Sequence, residues 1–170
     1  MDRFISAARA AVEDKNWYGA LALSLTLPDI CGRLEDPRKS TKSRYVGWWE
    51  KYCQHEYTSY LGPNKEKHVF LSGDDAYALR CAYLHEGGAD ITEQKARKVL
   101  QDFILLEPIE GCSIHLNQIN SVLQLQVDQF CSDICNGAQA WLQDHKDNPD
   151  VKERMTLLLT VHKLGSSVSF

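Results

Sequence analysis

Apolar side chains in this chain return mostly every three or four positions, and that period predicts helices along most of its length. Phe4, Ala7, Ala8, Ala11 and Val12 share one side of a short helix that ends near Asp14. From Trp17 to Leu27 the leucines alternate as in a strand, but Ala20 and Ala22 and the lack of β-branched residues before Thr26 favour a buried helix. Pro28 is expected to kink it or to begin a further turn through Leu34. After a polar, basic loop at 36–42, Tyr45, Trp48, Trp49, Tyr52, Cys53 and Glu56 keep helical spacing, and this aromatic stripe reads as core. Residues 61–67 carry Gly62 and Pro63 and break the helix.

The next helix is predicted over 72–85. Ser72 precedes Asp75 by three residues, as in a capping box, and Gly87-Gly88 stops it. Beyond it, Ala96, Val99, Leu100 and Phe103 again fit a helix, although Phe103 to Leu106 also reads as a strand. With Ser113 to Leu116, a turn at Asn117 to Asn120, and Val122 to Leu125, that strand predicts a small β-hairpin or meander inserted among helices. Val127, Phe130, Cys131, Ile134, Ala138, Trp141 and Leu142 give the cleanest amphipathic helix. Val151, Met155, Leu158, Leu159 and His162 give the last, after Asn148-Pro149. The expected fold is mainly α, with α+β as the variant reading. One domain spans 1–165, and 166–170 form a flexible tail.

Composition narrows the partners. A formal charge of −4 over 170 residues argues against a broad basic surface for nucleic acid, so any such contact is local. The densest basic cluster is Arg38, Lys39, Lys42 and Arg44, which reads either as a solvated loop or as a phosphate-facing rim. No apolar run reaches about 18 residues and the start does not resemble a signal peptide, so a cytoplasmic protein without membrane contact is expected. Cys31, Cys53, Cys81, Cys131 and Cys135 fall at helical core positions and read as reduced thiols. Cys131 and Cys135 with His115 or His145 fall short of a complete zinc set, so neither metal nor cofactor is expected. Phosphate-loop, dinucleotide, nucleophile-elbow and H-E-x-x-H motifs are absent.

The helix over 72–85 carries the candidate chemistry. At about 100° per residue, Tyr77, Cys81 and Leu84 form an apolar stripe flanked by Arg80 and His85, which lie about 140° apart. On that geometry one helix cannot aim both cations at one atom, whereas two copies packed by the stripe can, and a symmetric dimer is expected. The plainer reading of the same residues is a salt-bridged or solvated arginine and a histidine favoured at a helix C-terminus.

Arg80 and His85, with four residues between them at a helix end, resemble the R-x(4–6)-H signature of the HEPN superfamily, and the wider wording around Leu27-Pro28-Asp29 and Arg44-Tyr45-Val46-Gly47-Trp48 is similar to uncharacterised bacterial proteins. The resemblance implies a HEPN-like helical bundle and a metal-independent endoribonuclease of toxin or phage-defence type. It would act on RNA through a composite Arg80/His85 site at a homodimer interface, with an antitoxin or another protein as further partner. Tyr83 and Glu86 are auxiliary candidates. Many catalytic members carry Asn, Asp or His after the arginine, where this chain has Cys81. That departure keeps open a catalytically inactive nucleotide-binding or protein-interaction module.

Overall fold

The computed structural model describes residues 1–94, 97, 98 and 100–162. Helices predominate, as the apolar period predicts, and two small sheets accompany them. α1 (Asp2–Glu13) and α2 (Trp17–Glu35) are followed by α3 (Thr41–Tyr52) and the hairpin β1 (Thr58–Leu61) and β2 (Glu66–Val69). Then come α4 (Gly73–Cys81), a π-turn (Ala82–Glu86), the strands β3 (Asp102–Leu106), β4 (Asn117–Ile119) and β5 (Val122–Gln126), α5 (Val127–Asp144) and α6 (Pro149–Thr156). Among the described residues no helix is long and apolar enough to cross a membrane.

α2 is the axis of the molecule. It packs against α1, α3 and α5, and from Ala20 to Gly32 none of its residues is exposed, so its alternating leucines suit a helix covered around its middle. Pro28 lies inside it without ending it, so the helix runs through to Glu35. The α3 aromatics are core: Tyr45 and Trp49 are fully buried, and Trp49 sits against Tyr57 and Phe130 at centroid distances of 5.2 and 6.3 Å. Two glycines set the helix spacing. A Cβ on Gly32 of α2 would stand 2.8 Å from the Arg44 Cβ of α3, and one on Gly137 of α5 would stand 2.9 Å from the Cys53 sulfur.

Several expectations change. α3 stops at Tyr52, so Cys53 caps it and Glu56 lies in the turns beyond. The break at 61–67 is the tip of a hairpin, with Gly62 at φ 72° and Lys65 at φ 50° in the left-handed region. Its strands alternate too little in burial to leave an apolar signature. Of the helix expected from Ala96 to Phe103, Ala96 and Val99 lie outside the described residues, Leu100 is not helical and Phe103 belongs to β3. The second sheet is not a meander: its order is β3-β5-β4, with β3 parallel to β5 and β4 antiparallel to it. Asn117 to Ile119, expected as a turn, is a strand, and the turn is made at Asn120 (φ 55°) and Ser121. Residues 113–116 are a connection. α6 ends at Thr156, leaving Leu158, Leu159 and His162 beyond it, and the tail 166–170 lies outside the described residues.

Buried polar groups tie loops to this core. The Asp75 carboxylate accepts the Ser72 hydroxyl at 2.6 Å and the backbone N–H groups of Lys98 and Leu100 at 2.7 and 3.3 Å, fastening these residues ahead of β3 to the start of α4. Asp133 of α5 accepts from the Tyr57 hydroxyl at 3.0 Å and the Gln129 amide at 2.7 Å, with His115 Nε2 at 3.7 Å. Burial raises the Asp133 carboxyl and lowers the His115 imidazole from their ordinary values.

Candidate functional site

Arg80 and His85 meet within one chain: Arg80 Nη1 lies 2.9 Å from His85 Nε2. This corrects the inference that one helix must hold them about 140° apart, which assumed a uniform α-helix to residue 85. α4 ends at Cys81, and the π-turn that follows carries the wider i→i+5 repeat, which brings a residue over the one five positions earlier. Gly87, at φ 69°, closes the turn with its N–H on the Ala82 and Tyr83 carbonyls. The buried face of α4 consists of small residues, Ala76 and Ala78 with Leu79, followed by Ala82 of the π-turn. Tyr77, Cys81 and Leu84 are half-buried, and the Tyr77 ring meets Tyr45 edge-on at 5.5 Å.

A third residue fixes the arginine. Asp29, one position after Pro28 in α2, places Oδ2 at 2.7 Å from Arg80 Nε and 2.6 Å from Nη2, with both side chains 16% exposed. Two nitrogens of one guanidinium on one carboxylate oxygen set the plane of the guanidinium and aim Nη1 at His85. Burial pushes the Asp29 carboxyl above its ordinary value, while Arg80, Arg44 and His85 pull it back. Its Oδ1 is buried without a hydrogen-bond partner. Burial works against the Arg80 charge as well, but the Asp29 carboxylate outweighs it and the guanidinium stays charged. Because Arg80 can only donate, His85 Nε2 accepts, and the imidazole proton sits on Nδ1.

Beside the ion pair lies an open groove of about 330 Å³, bordered by Asp29, Arg33, Arg44 and Arg80, with Ile30, Leu34 and Leu158 supplying apolar wall. Of the four basic residues expected as a phosphate rim, only Arg44 reaches it. Its guanidinium donates to the Lys39 carbonyl and, at 3.3 Å, to Thr41 Oγ1. Arg38 and Lys39 lie 3.5 and 3.9 Å from Asp36, and Lys42 lies 2.8 Å from Asp74, so these three are paired elsewhere. Tyr83 donates to the Tyr18 carbonyl at 2.9 Å and Glu86 accepts from Gln94 at 2.8 Å, so these bonds of both auxiliary candidates lead away from His85.

Asp29 and Arg33 are the site residues that the reading of the sequence missed. The available signal was an acid and a base four apart, which share a helix face, at the end of an otherwise apolar run. The cysteines expected at core positions are buried at 31, 53, 131 and 135 and half-buried at 81, and Cys112 is exposed. Burial pushes the Cys131 thiol up to about 12. His115 and His145, considered as metal partners, are engaged otherwise. His115 Nδ1 accepts from the Gln126 N–H at 3.2 Å, and His145 stacks on Trp141 at 4.7 Å. Compared with known proteins, the chain matches no family model, no curated protein and no solved structure.

Proposed function

We propose that the chain is a metal-independent endoribonuclease of HEPN-like type, of the toxin or phage-defence class, with Arg80 and His85 as catalytic residues. One observation carries the reading: a surface histidine stands 2.9 Å from an arginine that a half-buried carboxylate holds in place. In the resting chain Arg80 occupies His85 Nε2. A phosphodiester entering the groove offers that guanidinium two nonbridging oxygens, a better match for its fork, and frees Nε2.

His85 then takes the proton of the 2′-hydroxyl, the 2′-oxygen attacks phosphorus, and the bond to the 5′-oxygen breaks. The departing oxygen takes a proton from water, leaving a 2′,3′-cyclic phosphate and a 5′-hydroxyl. Arg80 neutralises charge growing on the nonbridging oxygens. DNA lacks the 2′-hydroxyl and is not a substrate. Each chain carries a whole pair, so a homodimer built on the Tyr77/Cys81/Leu84 stripe would hold two sites. An antitoxin or another protein partner would act by covering them.

RNA cleavage in the presence of EDTA tests the reading, with wild type, Arg80→Ala and His85→Ala compared and product ends identified. The expected result is a loss of about a hundredfold or more in each folded variant, with cyclic phosphate ends from wild type. Equal activity in all three would identify a contaminating nuclease. No cleavage of a mixed RNA pool would favour the catalytically inactive module, for which Cys81 after the arginine speaks.

A further inference from the structure

Arg33, Arg44 and Arg80 border one groove in which Asp29 is the only acid among the described residues, and this in a chain of net charge −4. One carboxylate against three guanidiniums leaves an excess of two positive charges in a small volume, the reverse of the chain's overall balance. Asp29 is spent on Arg80, its Oδ2 held by Nε and Nη2 at 2.7 and 2.6 Å. The cations that remain are therefore Arg33 and Arg44, set apart from the reacting pair. Arg33 reaches from α2 and is exposed, with Nη1 steadied by the Pro37 carbonyl at 3.0 Å. Arg44 reaches from α3 and is steadied by the Lys39 carbonyl. Both retain further N–H donors, and arginine presents them in the planar fork that suits phosphate.

The wall between them is hydrocarbon, from Ile30 and Leu34 of α2 and from Leu158 beyond α6. Leu158 is held in place by its own carbonyl, which accepts from Arg3 at 2.7 Å. Fixed forks beside an apolar wall fit a ligand with a phosphate on one side and a ring on the other. The chain joining successive phosphates in single-stranded RNA has that composition.

We infer that Arg33 and Arg44 form a subsite for a phosphate neighbouring the one at Arg80, with the attached nucleoside against Ile30, Leu34 and Leu158. This rests on the endoribonuclease reading for the identity of the strand, and it assigns to Arg33 and Arg44 binding without chemistry. Their guanidiniums are steadied by the Pro37 and Lys39 carbonyls and not through the reacting pair, so their removal acts on affinity and KM and leaves kcat in place. The subsite also sets a minimum length, because a dinucleotide with one phosphate cannot fill both positions.

Binding of a fluorescent 2′-O-methyl RNA octamer of mixed sequence, which cannot be cut by this chemistry, separates the two ideas. For wild type, affinity should fall with salt. Arg33→Gln and Arg44→Gln should each weaken binding about tenfold at low salt and lower the salt slope by about 0.7, the share of one phosphate contact on a single strand. Arg33→Lys should recover the slope but only part of the affinity, and Lys65→Gln on the distant hairpin tip should change neither. Arg33 is exposed, so the inference stays testable even if Arg44→Gln does not fold. Unchanged affinity and slope in Arg33→Gln, with RNA still cut by wild type, would overturn the subsite and leave the enzyme reading standing. Octamer binding that depends on Arg33, without cleavage of any RNA, would uphold the subsite and sink the enzyme. Failure to bind the octamer, with tight Arg33-dependent binding of a polyglutamate peptide, would overturn the subsite in favour of an acidic protein partner.

Discussion

Asp29 exemplifies a residue whose worth lies in what it aims. Replacing it by Asn keeps the size but removes the charge that sets the Arg80 plane, so kcat for RNA should fall about tenfold or more while the fold persists. Nitrogen-15 shifts of His85 provide the readout that a merely structural residue would not move. Wild type should show Nε2 as the bare acceptor, and Asp29→Asn should show a mixture of tautomers. Asp133 is a buried carboxyl of another kind, raised by desolvation despite its bonds from Gln129 and Tyr57. A carboxyl whose folded pKa exceeds its unfolded one takes up a proton on folding. It therefore contributes stability at low pH that is lost as pH rises through the folded value. With His115→Gln in both proteins to remove the opposite slope of that imidazole, the difference in Tm between Asp133→Asn and Asp133 should shift toward the Asn variant between about pH 4 and pH 7. A constant difference would contradict a raised Asp133.

Helices α2 and α3 owe their closeness to a missing methyl. Gly32→Ala would press Cβ against the Arg44 Cβ at 2.8 Å and the Arg44 backbone at 3.3 Å, atoms that cannot step aside without moving α3. The expected cost is about 1–3 kcal/mol in thermal or urea unfolding. Groove binding should fall in step, since Arg44 moves with α3. How much of this was legible differs between elements. α2 was read as helical through its leucines because Ala20, Ala22 and the scarcity of branched side chains outweighed the alternation. Ser72 announced the start of α4, and its hydroxyl does accept the Asp75 N–H at 3.2 Å. The hairpin β1–β2 was hidden because its strands are mostly exposed and carry no alternation. The parallel partnership of β3 with β5 was hidden for a different reason, since periodicity identifies a strand but not the neighbour it chooses.

Charge summed over the chain and charge in the groove differ in sign, and the former alone limited any phosphate contact to a local one without placing it. The fold places the cations together across long separations: Asp29 pairs with Arg80 across 51 positions, and Arg44 of α3 borders the same groove. The candidate pair Arg80/His85 was legible from spacing and resemblance; its carboxylate was not, because nothing local links position 29 to position 80. Assembly is a separate matter. Sedimentation velocity at about tens of micromolar should give a two-fold dimer if the half-buried stripe of the 72–85 segment is an interface of ordinary strength. A monomer that still cleaves RNA would remove the dimer and locate the whole activity in one chain.

The π-turn has a consequence for how such sites are found. An ordinary α-turn sets residues four apart side by side, and one wide turn does the same for residues five apart. A chain one residue shorter between arginine and histidine, wound as a plain α-helix, would bring the same two side chains to each other. The number of letters separating them is thus a property of the winding, and a pattern search that fixes that number is sorting helices by their pitch rather than by their chemistry.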